Sequence, residues 1–161
     1  MGITVVNDHT EEVLQELERR VQAALEACGI QAVSHAQDNI TRAGRVGSTG
    51  DLRQGISHLV KDKTCYVGTN TEYAIYNEIG TGKFVAGGRK GFWVYVPGSK
   101  KRGKGRVLSE KEARQLVAIL KSKGLDAHMT EGMKGIHFLK DAIANNIDEY
   151  KRIIEQHLKG G

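Results

Sequence analysis

The amino-acid sequence predicts an α+β fold: a small, mostly antiparallel sheet packed by a long N-terminal helix and a C-terminal amphipathic helix. Three observations predict it. Residues 8–43 carry apolar side chains every three or four positions, and residues 137–159 repeat that period. Between them stand short runs of alternating or β-branched residues set off by glycine, of which Phe92–Val96, "FWVYV", is the strongest. Helices at both ends of a run of strands give an α+β order rather than alternating βαβ units. A chain of 161 residues, 39% of them hydrophobic, fits a single domain over 1–161 with one modest core. Within it lie the helix 8–43, a sheet region 52–132 with inserted helices and a basic loop 98–106, and the helix 137–159.

The first helix is expected to open at Asp8, which stands three residues before Glu11 at capping-box spacing, with Glu12 adding charge that suits a helix start. Its apolar positions run through Leu14, Leu17, Val21, Leu25, Cys28, Ala32, Ala36 and Ile40. Gly29 is expected to be a weak point and Gly44 a stop. A helix of that length spans about 50 Å, more than its own small domain needs, so part of its side is free to face another subunit. "RVGSTGD", 45–51, is a hinge, and Leu52–Val60 with Thr64–Thr69 predicts an antiparallel hairpin.

Thr71 is placed to cap a short helix over Glu72–Ile79, with Tyr73, Tyr76 and Ile79 on one side. After Phe92–Val96 comes Pro97-Gly98 and then "GSKKRGKGR", 98–106, whose composition predicts a flexible tip. Val107-Leu108 can rejoin the sheet. Ser109 with Glu112 forms a capping box for a helix that Gly124 stops, and Leu125–Gly132 predicts a short returning strand. The two terminal helices are expected to lie against the same face.

Charge is unevenly placed. Between Lys83 and Arg106 stand eight basic residues and no acidic one, so a chain of net charge +5 is −3 without them. Such asymmetry speaks about partners rather than fold. The cluster Lys100, Lys101, Arg102, Lys104 and Arg106 is either a solvated loop or a contact for phosphates or an acidic protein surface, and Phe92, Trp93 and Tyr95 just upstream are expected to fill a core rather than stack bases. Cys28 and Cys65 are expected to be free, buried thiols, and the six histidines show no zinc-ligand spacing. No apolar run nears the roughly 18 residues of a membrane span, no secretory or lipidation signal is visible, and a soluble intracellular protein is expected.

"YNEIGTGKF", 76–84, raises the question of a phosphate-binding loop. The pattern Gly-x-x-x-x-Gly-Lys-[Ser/Thr] requires a glycine where Asn77 stands and a hydroxyl where Phe84 stands, and it requires a strand before the loop rather than a helix. A backbone turn at Gly80, Thr81 and Gly82 explains the same residues, with Gly80 left-handed at a helix end and Gly82 reversing the chain. Adjacent carboxylates such as Asp148/Glu149 sit in charge-interleaved helices, and no nucleophile elbow or Cys–His pairing is present. No catalytic, cofactor or metal site is expected.

The ordered blocks "STGDLRQGI", "YAIYNEIGTGKF", "GRKGFWVYV" and "GMKGIHFLKDAI" resemble the neck, or head–tail joining, proteins of long-tailed bacteriophages, the HK-ninety-seven gene-product-ten-like group that includes tail-completion proteins. Thr49, Gly50, Leu52, Arg53 and Ile56 match that family's first element. Tyr73, Ala74, Tyr76, Glu78, Gly80, Thr81 and Gly82 match its second, and Phe138, Leu139 and Ala142 match the opening of its last helix. The similarity runs from about 49 to 142. Departures are Gly55 for a usual Ser, Ile79 for Phe, and Gly135-Ile136-His137 where a Pro is common; the 109–124 helix looks like an insertion found in some members.

The resemblance implies a non-enzymatic virion protein without a cofactor, made in the bacterial cytoplasm and resident in the neck of the particle. Its partners would be copies of itself in a ring, the head connector, and a tail-tube or tail-terminator protein, with genomic DNA passing through and touched without sequence reading. The rival expectation is a sequence-independent nucleic-acid-binding module, which predicts steeply salt-dependent DNA binding by the isolated chain. A nucleotide-dependent enzyme would instead lose turnover on substitution of Lys83.

Overall fold

The computed structural model describes residues 8–45, 50–99 and 106–159. The fold is α+β, as the helical and strand periods predict. Where the sequence shows no boundary inside 1–161, the chain divides into two compact units, Met1–Thr71 with Phe138–Gly161, and Glu72–His137. Among the described residues the strands fall in two separate two-stranded antiparallel sheets, one in each unit.

The first unit is built on α1, Thr10–Arg42, a single 33-residue helix. The Asp8/Glu11 capping box does not form. His9 is the N-cap residue and its ring meets the Glu12 carboxylate at 3.0 Å rather than a helix N–H, while Asp8 accepts from the N–H and the hydroxyl of Thr10. Ala24, Cys28, Ala32, Ala36 and Ile40 stand four apart and are buried. Small side chains on that stripe let neighbouring elements approach closely, and α1 packs against β1 and β2 as well as against α5 and α6 described below. The helix closes as the sequence predicts. Gly44 adopts φ +67°, the N–H of Gly44 donates to Thr41 and that of Arg45 donates to Ile40.

Leu52 does not begin a strand. Asp51–Gln54 forms one helical turn, α2, and the hairpin is Ile56–Lys61 (β1) with Thr64–Thr69 (β2). Ile56 pairs with Thr69 and Lys61 with Thr64, so Asp62 and Lys63 alone make the turn, both at positive φ as a primed two-residue turn demands. Alternation puts Ile56, His58 and Val60 toward α1 and leaves Leu59 and its partner Tyr66 at 61% and 55% exposure.

The predicted helix 137–159 is two helices, α5 (Phe138–Ala144) and α6 (Ile147–Lys159). They meet at Asn145-Asn146, where the Asn146 amide donates to the Ala142 carbonyl. The terminal helices lie along each other, and both line the cleft beside Cys65 and Val67 of β2. Arg20 Nη1 donates to the Leu158 carbonyl at 3.2 Å, and the Tyr150 hydroxyl donates to Ala142 at 2.8 Å and lies 2.9 Å from His35 Nδ1.

In the second unit α3 is Ala74–Ile79 and a 3₁₀ turn follows at Gly82–Phe84. Thr71 does not cap α3. Tyr73 is the N-cap residue, and Thr71 instead donates its N–H to the Thr69 hydroxyl. β3, Trp93–Tyr95, pairs antiparallel with β4, His128–Thr130, and Phe92 exchanges both backbone bonds with Leu108. α4, Glu110–Ser122, has its capping box complete, and Gly124 at φ +77° ends it.

The buried core of the described residues is mostly alanine; Phe138, Ile40 and Leu52 are its largest fully buried side chains. Many larger apolar side chains stand outside.

Candidate functional site

The Gly80–Gly82 turn is held by a second segment of the same unit. Asn77–Lys83 lies beside residues 131–137, and the two exchange backbone bonds. Ile136 N–H donates to Asn77, His137 N–H to Glu78, Thr81 N–H to Met133 at 2.7 Å, and Lys83 N–H to Glu131 at 3.1 Å. The Thr81 hydroxyl accepts from the Met133 N–H at 3.0 Å. Glycine makes this closeness possible. A Cβ on Gly80 would stand 2.6 Å from both Met133 O and Gly135 N, and one on Gly82 or Gly132 would collide with the Glu131 or Thr81 carbonyl. Gly80 takes φ +89° with ψ −171°, a nearly glycine-only extended form rather than the left-handed helical form expected.

A phosphate cradle needs backbone N–H groups aimed at the ligand. Here those of Thr81, Lys83, Phe84 and Val85 all donate to carbonyls of the chain itself. The Lys83 amine is paired with the Glu131 carboxylate and lies 5.2 Å from the centre of the Phe84 ring. The Thr81 and Lys83 N–H groups and the Thr81 hydroxyl join two stretches of backbone, and the Phe84 and Val85 N–H groups close the turn on itself.

The sequence does not single out Gly132 and Gly135 as partners of this turn. The one trace in the sequence is their spacing in "EGMKG", which gives no register for a backbone contact fifty residues away.

The other motif positions serve packing or lie on the surface. Leu52 is 1% and Phe138 0% exposed. Arg53 Nε donates to the Thr41 hydroxyl and the Arg53 carbonyl accepts from Gln37; Leu139 is half-buried. Glu78 contributes its carbonyl to the paired segments. Tyr73 and Tyr76, with Ile75, Ile79 and Phe84, are exposed, so the predicted apolar side of α3 faces outward and only Ala74 of that helix is buried.

Of the basic cluster, Lys100, Lys101, Arg102 and Lys104 lie outside the described residues, as do 46–49 with Thr49. Arg106 is described and pairs with Glu112 at 3.3 Å. The upstream aromatics do not fill a buried core. Among the described residues β3 has one partner strand, its residues are half-buried or exposed, and Tyr95 at 48% exposure stacks on His128 with ring centres 5.7 Å apart.

The thiols are free, Cys28 buried and Cys65 half-buried, and they line one cleft of the first unit with Leu25, Val67, Ile154 and Tyr150. Burial pushes both thiols up, and burial followed by the Glu149 carboxylate pushes the Tyr150 hydroxyl up to about 12. Among the described residues no three His, Cys, Asp or Glu side chains are grouped to hold a metal ion, and no helix is long and apolar enough to cross a membrane.

At the start of α1, Val13 and Leu17 with Leu158 line a groove rimmed by Glu12, Glu16 and Arg20. Arg19 and Arg20 both hydrogen-bond Glu16 and hold its carboxyl down to about 2. No protein-family model, curated protein or solved structure matches the chain.

Proposed function

We propose that this chain is a structural subunit of a tailed bacteriophage or prophage virion, a part of the head–tail connector through which DNA passes. The four ordered sequence blocks support the reading. The observation that carries it is the inversion of side-chain size: alanines make up most of the interior while Val13, Leu14, Tyr66, Ile75 and Tyr76 are all more than half exposed. A chain that keeps its larger apolar groups outside has surface set aside for neighbours. The glycine-joined turn adds a second support, because its donors are occupied by backbone and its lysine by Glu131. Assembly, rather than turnover, is the work left for such a molecule.

The deciding experiment is electron microscopy of particles made without the protein. Filled heads and separate tails are expected; joined, infectious particles would refute the assignment. DNA titration of the isolated chain separates the rival reading. A connector subunit binds weakly until assembled, whereas a nucleic-acid module binds alone with an affinity that falls steeply with salt.

A further inference from the structure

Cys28 and Cys65 are the two cysteines of the chain, 37 positions apart in sequence. They belong to different elements, α1 and β2, yet both stand in the wall of one cleft of the first unit, about 160 Å³ in volume and lined otherwise by Tyr150 and apolar side chains. Strand alternation accounts for Cys65, which pairs with Val60 on the side of the hairpin that faces α1. Gly29 accounts for the closeness. With no side chain there, the hairpin comes in until Cys65 Sγ lies 2.9 Å from where a Cβ of Gly29 would stand, and Cys28 is the adjoining residue of α1.

The two thiols are unequal. Cys28 is 9% exposed and its S–H donates to the Tyr150 carbonyl at 3.7 Å, whereas Cys65 is half-buried and within reach of solvent. Burial first and the neighbouring Cys65 second push the Cys28 thiol up, and burial followed by the Glu26 carboxylate does the same to Cys65. Among the described residues no third metal-ligating side chain joins them, so the pair falls short of the four ligands of a structural zinc site. Two thiols facing one cleft are nonetheless a complete set for thiol–disulfide exchange, one to be attached and one to resolve the attachment.

We infer that Cys28 and Cys65 form one dithiol couple in the folded chain, and that it takes a low-molecular-weight disulfide as its oxidant. Cys65 gives its proton to water, and its sulfur attacks one sulfur of the small disulfide. That S–S bond breaks, the first small thiol leaves and takes up a proton, and Cys65 carries the other half as a mixed disulfide. Cys28 then loses its proton, leaves the Tyr150 carbonyl and attacks the Cys65 sulfur, releasing the second small thiol and leaving an internal bond. Two electrons pass from the protein to the small molecule for each bond formed. The bond ties β2 to α1 and, by closing the chain between them, restricts the unfolded state. A reducing compartment keeps the couple open and an oxidising one closes it. Thiols pushed up by burial exchange slowly at neutral pH, which suits a switch set by surroundings rather than a catalyst.

The test uses the full, reduced chain and a small excess of hydroxyethyl disulfide, uncharged because the Glu26 carboxylate stands by Cys65 and that of Glu149 by Tyr150. Samples are stopped with acid, their remaining thiols alkylated, and the protein weighed by mass spectrometry. The wild-type chain is expected to end lighter by two hydrogens, with no adduct and no thiol left to alkylate. Cys28→Ala, in keeping with the alanines at 24 and 32 on the same stripe, should stop at the mixed disulfide on Cys65. Cys65→Ser leaves only the buried thiol and should react at least about tenfold more slowly than wild type. Circular dichroism verifies that each chain is folded. The closed wild-type chain should melt about 5 °C or more above the reduced one.

Wild type that stays unreacted, or that stops at a mixed disulfide as Cys28→Ala does, overturns the inference. So does a bond that joins two chains instead of closing one, since the couple then lies between copies. Cys65→Ser reacting as fast as wild type would make Cys28 the entry point and overturn the order of attack. A closed chain that melts no higher than the reduced one would show that the bond distorts the first unit, and overturns the couple as a native one. The couple is a property of the purified chain. Joined particles made without the protein would remove the virion role and leave it standing, whereas a persistent mixed disulfide removes the couple alone.

Discussion

The imidazole of His58 in β1 rests on the backbone of Gly29 in α1, so closely that a Cβ at Gly29 would stand 2.7 Å from His58 Cγ and 2.9 Å from Cys65 Sγ. His58 Nε2 then meets the Glu26 carboxylate at 2.9 Å. The glycine expected to weaken the helix is thus where the hairpin sits down, and the helix passes through it unbroken. Gly29→Ala should therefore destabilise the protein. The gain in helix propensity is about 1 kcal/mol, while overpacking at a buried contact costs about 1–3 kcal/mol. Urea unfolding should show a net loss, and a stabilised Gly29→Ala chain would mean the hairpin can back away.

The glycine-joined turn makes a pair of opposite predictions. Gly82→Ala places a side chain at φ +62° and against the Glu131 carbonyl, so it should cost about 2 kcal/mol or more. Lys83→Ala removes an ion pair whose partners are 43% and 33% exposed, and should cost less than about 1 kcal/mol. A phosphate-binding loop would give the reverse emphasis, with Lys83 decisive for binding. Thermal melts of both variants, with ATP and without, separate the two cases.

The parts of this fold that were legible in the sequence are those written in short-range chemistry. Ser109 and Glu112 declare a helix start because both halves of the box are three residues apart, and Gly44 and Gly124 declare helix ends because only glycine takes that φ cheaply. Asp8 and Glu11 have the same spacing yet form no box, since Asp8 is drawn to Thr10. The break at Asn145-Asn146 was hidden because Ile143 and Ile147, four apart, keep the apolar phase running across it. The pairing of Asn77–Lys83 with residues 131–137 was illegible for a different reason. It is made by backbone atoms, and a periodic pattern of side chains carries no record of it. Sequence periodicity also marks Tyr73, Tyr76 and Ile79 as one apolar side without saying whether this chain or another covers it; in this chain they are exposed.

Stability should fall in alkali, with a sign fixed by the cleft. Burial raises the Cys28 and Cys65 thiols above their ordinary 9.0, and Tyr150 is raised from 10.0 to about 12. Each group is held protonated longer in the folded chain than in the unfolded one, so its contribution is complete below the unfolded value and is lost as pH rises through the folded one. These groups should leave stability level below about pH 9 and reduce it from there toward pH 12. Tyr150→Phe removes the phenol, so the slope of unfolding free energy between pH 10 and 12 should become shallower. An unchanged slope would place the titrating groups elsewhere.

Acid should act at the start of α4. The Ser109 backbone N–H, then its hydroxyl, hold the Glu112 carboxyl below its ordinary 4.5, so the stabilisation exists above that value and is lost as pH falls through the lower folded value. Ser109→Ala should itself cost about 1 kcal/mol at neutral pH, the usual loss for a serine cap. The two effects are linked through one side chain: without the hydroxyl, Glu112 keeps only the backbone N–H and the nearby Arg106, and its downward shift should shrink. Carboxyl titration followed by NMR, in the wild-type chain and in Ser109→Ala, should find the Glu112 midpoint higher in the variant. Equal midpoints would show that the hydroxyl does not hold the Glu112 carboxyl down, and that the backbone N–H and Arg106 set its charge.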